Sequence, residues 1–404
     1  MTRILLISNG HGEDLSGSLI GDSLIRQNHK VDALPIVGLG KAYKKSGIKV
    51  IRTVREFSTG GIGYTSLIGR LTELIEGQLI YLLEGLICLM KNKNNYDLIV
   101  IVGDIIPIIY AWISKLPTVT YLVAYSSHYE GRLRLPWPCN NFLSSKRFLK
   151  IYARDKLTAE DLSTQLRRKV EFQGNPFLDP VSQLSSNINK ALNYIGMLPG
   201  SRRPELDFNV KLMLRVVSFM PENFIVGNNI LFNMALVDQL NNEDFIEIAS
   251  SANWQLISND KGILKIQYIN SEVYINVYRN SFVKILQSSK LLVSMAGTAT
   301  EQSVGIGKPV IQIIGKGPQF TESFAEAQRR LLGPTVFVAD GKPISETNLT
   351  NTALLIMEIF KRASLDKGLD FECKKQALER IGRSGGTERI ANDIRVLINN
   401  FTFN

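Results

Sequence analysis

Short apolar runs alternate with stretches of helical periodicity along nearly the whole chain. Arg3–Ser8 (RILLIS) reads as a buried strand. A glycine-bearing loop follows and leads into a helix from Asp14 to about Asn28, with Leu15, Leu19, Ile20 and Leu24 on one face. Val31–Val37, Leu98–Val102, Tyr121–Ala124 and Ile151–Ala153 read as further strands, and Asp104 stands just past the Leu98–Val102 run. A polar stretch rich in Ser and Asn, Asp179–Lys190, reads as a linker, after which the pattern restarts. Strand Tyr194–Leu198, the turn PGSRRPE and a helix to about Met220 come first. Lys290–Ser294, an AGTATEQ turn into a short helix, and strand Pro309–Ile314 come later. Strands alternating with helices predict parallel βαβ units. The expectation is an α/β chain of two doubly wound, Rossmann-like domains with a cleft between them, residues 1–178 and 179–404.

One stretch departs from this alternation. Ile62–Met90 is long, apolar-rich and helical in pattern, and it carries Arg70, Glu73, Glu76 and Glu84. It reads either as helices packed in the domain or as an amphipathic patch lying on a membrane. The longest apolar run, Leu98–Ser114, is too short to span a bilayer and is broken by Gly103, Asp104 and Pro107. The N-terminus shows no basic segment followed by an apolar stretch and a small-residue cleavage site. A cytoplasmic protein, touching the inner face of a membrane peripherally, is the expectation.

Composition narrows the class. Of 404 residues, 45% are hydrophobic and 21% charged, which excludes disorder, collagen and coiled coil. Three cysteines (Cys88, Cys139, Cys373) stand far apart without a CxxC, so neither a disulfide framework nor a structural zinc site is expected. A net charge of +10 favours an acidic partner, such as a phosphorylated substrate or anionic headgroups. The basic residues are scattered, with no aromatic-basic string or zinc finger, which argues against nucleic acid.

Three turns carry candidate chemistry. In Met197–Glu205 (MLPGSRRPE) a strand ends in a Gly-Ser turn, Pro204 takes a first helical position, and backbone N–H groups with Arg202 suit a phosphate. In Ser294–Gln302 (SMAGTATEQ) small residues admit a ligand to the backbone. Thr298 and Thr300 can cap the helix and donate to phosphate, and Glu301 or Gln302 can accept from ribose hydroxyls. The third turn, Ser8–Asp14 (SNGHGED), lies at the end of the first strand, where open α/β sheets bind ligands. There His11 reads as a general base or as part of a capping loop, and Asp104 reads as a competing base or a cap. No DxD pair occurs, so a metal-bound leaving group is not expected and no cofactor is implied. GxGxxG after the first strand is also missing, which argues against a dinucleotide oxidoreductase.

With these residues in view, the chain resembles the lipid-A-disaccharide synthase family, in its divergent related-protein branch. More distantly it is similar to MurG-type GT-B glycosyltransferases. Leu198–Arg202 (LPGSR) and Gly297–Thr300 (GTAT) match the donor-domain motifs, and Gly174–Phe177 (GNPF) resembles the G-H-P-L at the domain junction, with Asn175 in place of His. Val37–Lys41 with Ser46-Gly47 resembles the second-strand glycine stretch, and Val102–Asp104 the strand end bearing a candidate catalytic Asp. The resemblance implies a GT-B fold whose last helix, near Thr387–Asn400, packs back across the junction. It implies inverting, metal-independent transfer of an N-acetylhexosamine or acylated glucosamine from a UDP-sugar to a lipid-like acceptor. The donor would lie on Gly200, Ser201, Arg202, Gly297, Thr298, Thr300, Glu301, Gln302 and Gln319, with Asp104 or His11 as base. Two alternatives stay open: a UDP-sugar 2-epimerase-like enzyme, and a catalytically inactive, membrane-peripheral UDP-sugar-binding protein.

Overall fold

Leu98–Val102 is buried at every position, as a strand covered on both faces must be. The computed structural model describes residues 1–37, 39–52, 78–129, 131–183, 192–315 and 321–400, the side chains of His11, Gln78 and Leu79 excepted. Gly38, residues 62–77 of the apolar stretch, residues 184–190 of the expected linker and Gln319 lie outside the described residues. The chain divides into two units. Unit 1 comprises Met1–Asp179 and Gly382–Asn404, and unit 2 comprises Pro180–Ile381.

Among the described residues unit 1 holds six parallel strands: β1 (Arg3–Ser8), β2 (Lys30–Pro35), β3 (Lys49–Val50), β4 (Leu98–Val102), β5 (Thr118–Leu122) and β6 (Phe148–Ala153). Their order is β3-β2-β1-β4-β5-β6. Alternation along β1 and β4 sends Leu5, Ile7, Ile99 and Ile101 into one core and Ile4, Leu6, Leu98 and Val100 into another. The second core is closed by Ile20 and Leu24 of helix His11–Arg26 and by Ile390, Ala391, Ile394 and Ile398 of the last helix, Gly386–Asn400.

The differences from the expected boundaries are local. The first helix begins at His11 rather than Asp14, because the Asp14 N–H already closes a turn on the Gly10 carbonyl at 2.8 Å. It ends at Arg26, and Asn28 is left-handed with φ 66°. β5 starts at Thr118, earlier than Tyr121, since buried Thr118 and Thr120 are β-branched residues that suit a pleated strand. Of the Ile62–Met90 stretch, the part from Gln78 is helical and runs on to Asn92.

Among the described residues unit 2 holds eight strands: β7 (Asn193–Leu198), β8 (Ile230–Ala235), β9 (Trp254–Asp260), β10 (Ile263–Tyr268), β11 (Tyr274–Tyr278), β12 (Leu291–Ser294), β13 (Val310–Gln312) and β14 (Val336–Val338). Their order is β14-β13-β12-β7-β8-β11-β10-β9. This sheet is not parallel throughout: β11, β10 and β9 pair antiparallel at one edge. Lys261 and Gly262, at φ 51° and 79°, form the two-residue hairpin turn that joins β9 to β10 with the twist both strands need.

The chain leaves unit 1 at Asp179 and re-enters at Gly382, and the two segments are bound together. The Asp179 carboxylate accepts the N–H of Gly385 at 2.5 Å and that of Thr387 at 2.9 Å. Arg389 Nε donates to the Gln173 carbonyl at 2.8 Å. Gly174 and Gly386 pack backbone on backbone, so closely that a Cβ on Gly386 would lie 2.7 Å from the Gly174 carbonyl carbon.

Candidate functional site

In an open α/β sheet, ligands bind outside the carboxyl ends of the strands where the strand order reverses. In unit 2 that point lies between β7 and β12, which are paired in register with Ser294 opposite Leu198. The LPGSR and AGTAT turns therefore leave the sheet side by side. The Met295 N–H donates to the Leu198 carbonyl at 2.9 Å. Gly200 sits at φ +97°, and a Cβ there would stand 2.9 Å from the Met295 carbonyl oxygen, so only glycine suits the contact. From below, buried Asn209 donates Nδ2 to the Pro199 carbonyl at 2.9 Å and pins the turn.

Arg203, the second arginine of this turn, is bound within unit 2. Arg203 donates to Asp207 at 2.7 Å and to Asp244 at 2.6 Å, so its charge is taken up by helix Glu205–Ser218 and helix Asn242–Ser250. Pro204 is the residue before the helix rather than its first position, and the helix starts at Glu205.

The second turn differs from expectation in its threonines. Gly297 precedes helix Thr298–Gly305, and no side chain caps that helix. Thr300 is fully buried: its Oγ1 lies 2.7 Å from Ser294 Oγ and donates to the Ala296 carbonyl at 2.6 Å. It fastens the turn to β12 instead of facing a ligand. Gln302 is buried as well, at 5% exposure, while Glu301 is partly exposed. Among the described residues nothing stands within 4 Å of where a Gly297 Cβ would be. The N–H groups of a first helical turn have no intrahelical acceptor, and the helix dipole favours an anion there.

In unit 1 the reversal lies between β1 and β4, with Ser8 opposite Val102. Asp104 precedes helix Ile105–Ser114, and its Oδ1 accepts the Ile106 N–H at 3.0 Å. Its Oδ2 accepts Asn9 Nδ2 at 2.9 Å. Burial raises its pKa, and the Asn9 and Ile106 hydrogen bonds oppose that rise. Both oxygens are therefore engaged, which is the capping geometry. His11 is the first residue of helix His11–Arg26.

Asp14, in the same loop, was not among the candidates. Its carboxyl is 1% exposed, accepts the Ser8 hydroxyl at 2.6 Å, and is pushed up to about 7, chiefly by burial. Tyr43, also buried, donates to Ser8 Oγ at 2.8 Å. An acidic residue in a first helical turn is ordinarily a solvated partner of the helix dipole, so no local signal marks Asp14 as buried. Among the described residues no group of three or more His, Cys, Asp or Glu is placed to hold a metal ion, and no helix is long and apolar enough to cross a membrane.

No known family profile matches the chain, and no curated protein matches it in sequence. Solved structures do. CalG4, the calicheamicin glycosyltransferase, is 14% identical with a TM-score of 0.60, covering 99% of this chain and 98% of its own. S. aureus MnaA, solved with UDP, is 16% identical at a TM-score of 0.56, over 99% of this chain and 98% of that one. The UDP-GlcNAc 2-epimerase of Methanocaldococcus jannaschii is 14% identical at 0.53, over 98% and 99%. At such identities the likeness is one of architecture: two Rossmann-like α/β units of the GT-B fold class.

Proposed function

We propose that the chain is a UDP-sugar-dependent glycosyltransferase, with unit 2 binding the nucleotide sugar and unit 1 the acceptor. The observation that carries this reading is the meeting of the LPGSR and AGTAT turns at the β7–β12 reversal. Two helix starts, Glu205 and Thr298, and one guanidinium, Arg202, then serve a single anion. A diphosphate fits that chemistry, and the similar S. aureus structure was solved with UDP. Such a site neutralises a departing UDP with fixed dipoles and Arg202 as the anomeric bond breaks. The LPGSR and GTAT motifs further support a lipid-A-disaccharide-synthase-like donor, an N-acetylhexosamine or acylated glucosamine.

Arg202→Ala is expected to weaken UDP binding by about 10–100-fold, the loss of one strong charge-assisted contact. Isothermal titration with UDP checks it, and unchanged affinity would remove Arg202 from the site. A second reading, UDP-sugar 2-epimerase, is favoured by the name of the similar M. jannaschii structure. Incubation with UDP-N-acetylglucosamine separates the two, since the epimerase gives the 2-epimer and the transferase gives UDP.

The acceptor is proposed to be lipid-like, met at a membrane surface. On helix Gln78–Asn92, Ile80, Leu83, Ile87 and Met90 form one exposed stripe, with Ile80 66% and Leu83 59% exposed. Exposed Lys91 stands at the same helix end. Aliphatic side chains beside lysine suit the boundary between headgroups and acyl chains. Vesicles containing anionic lipid are expected to sediment the protein at low salt, and Leu83→Glu with Ile87→Glu to leave it in the supernatant. Equal sedimentation of both proteins would sink the membrane reading.

A further inference from the structure

Helix Glu346–Leu365 of unit 2 ends in a leucine that is 85% exposed, and the chain turns at Asp366 into helix Lys367–Gln376. The Asp366 carboxylate caps the second helix by accepting the Gly368 N–H at 2.7 Å, and the coil runs on through Ala377–Ile381. Leu369, Cys373, Gln376, Ala377 and Ile381 form its buried stripe, and Leu369 and Cys373 enter the unit 2 core. Packing asks one apolar stripe of a surface helix, and polar residues ordinarily take the other side. Here the outward side carries Phe371 and Leu378, 69% and 51% exposed, two turns apart on one face.

Exposed lysines frame this pair. Lys367 and Lys375 lie one turn before and one turn after Phe371, and Lys374 lies one turn before Leu378. The acidic residues of the coil are engaged elsewhere. Asp370 is bound to Lys374 Nζ at 2.5 Å, and Glu372 and Glu379 accept Gln376 Nε2 at 2.8 and 3.5 Å. Among the described residues Lys367 and Lys375 form no ion pair. The outward face is thus apolar along its middle and positive at its edges.

That composition selects among occupants. A second copy of the chain, in a two-fold contact, would set these lysines against one another. Protein interfaces are depleted in lysine and favour arginine. An anionic bilayer takes both parts of the face, since lysine stems lie along apolar side chains while their ammonium groups reach headgroup phosphates. We propose that this face of helix Lys367–Gln376 docks on an anionic phospholipid surface, with Phe371 and Leu378 entering the boundary between headgroups and acyl chains. The contact belongs to unit 2 alone and depends neither on the transferase reading nor on helix Gln78–Asn92.

The test places a reporter on the face. Phe371→Trp in the full chain is mixed at low salt with vesicles of phosphatidylcholine and phosphatidylglycerol in equal parts, their acyl chains brominated. Its emission, measured against that of the unsubstituted chain, is expected to shift to the blue and to be quenched. Adding Lys367→Gln and Lys375→Gln is expected to raise the lipid concentration for half quenching about 30-fold, about fivefold per lysine near an anionic surface. Unquenched emission from protein that still sediments with the vesicles overturns the proposal and leaves the stripe of helix Gln78–Asn92 standing. Equal quenching on phosphatidylcholine alone overturns the charge argument and the proposal with it. A dimer in the ultracentrifuge that Phe371→Ser disperses assigns the face to a second copy, and also overturns it.

Discussion

Asp14→Asn is expected to raise the stability of the protein at pH 8 and to leave it nearly unchanged at pH 3. In the folded chain the Asp14 carboxyl keeps its proton up to about 7, mainly because burial penalises the charge, against an ordinary value of 3.8. Between those two values the folded state binds a proton that the unfolded state has released. The stability this group contributes is full below the ordinary value and is lost as pH rises through about 7. The loss is on the order of 4 kcal/mol. Asparagine cannot ionise and still offers an oxygen to the Ser8 hydroxyl, so it removes the penalty. Thermal unfolding should show a midpoint roughly 10 °C higher than wild type at pH 8. Equal shifts at both pH values would mean that the effect is packing and not the proton.

Gly386→Ala is expected to cost about 3 kcal/mol, the upper range for overpacking a closed contact. The added methyl would press on the backbone of Gly174, which no side-chain rotation can relieve. The same change at Gly227, where no described residue stands within 4 Å of the new Cβ, is expected to be neutral or slightly stabilising. Limited proteolysis should release the last helix earlier from Gly386→Ala than from wild type, and leave Gly227→Ala indistinguishable from wild type. If both glycine variants unfold alike, close backbone packing is not what holds the two segments.

What the sequence made legible was set by local signals. β1 and β4 were bounded correctly because continuous apolar runs flanked by Ser-Asn-Gly or Gly-Asp punctuate themselves. The two anion-type turns were recognised individually from Gly, Ser and Thr. Their convergence on one donor was expected from the resemblance and not from any local spacing, because it depends on β12 inserting beside β7 from nearly a hundred residues later in the chain. The β9–β10 hairpin escaped because β9 is mostly exposed and lacks alternation, although Lys261-Gly262 was a usable turn signal. Thr300 was misread because a threonine at a helix start looks like a cap, whereas here Ser294 and the Ala296 carbonyl claim its hydroxyl.

The return of the chain to unit 1 at Gly382 also fixes an order of events during synthesis. Every residue of unit 2 leaves the ribosome before helix Gly386–Asn400 exists. At about 5–20 residues per second, the nascent first sheet waits on the order of tens of seconds for its cover. During that interval the part of this core that Ile390, Ala391, Ile394 and Ile398 complete, beside Ile20 and Leu24, faces water or a chaperone, while unit 2 already has its whole sequence. A circularly permuted chain that begins at Gly382 would reverse the order and deliver the covering helix first.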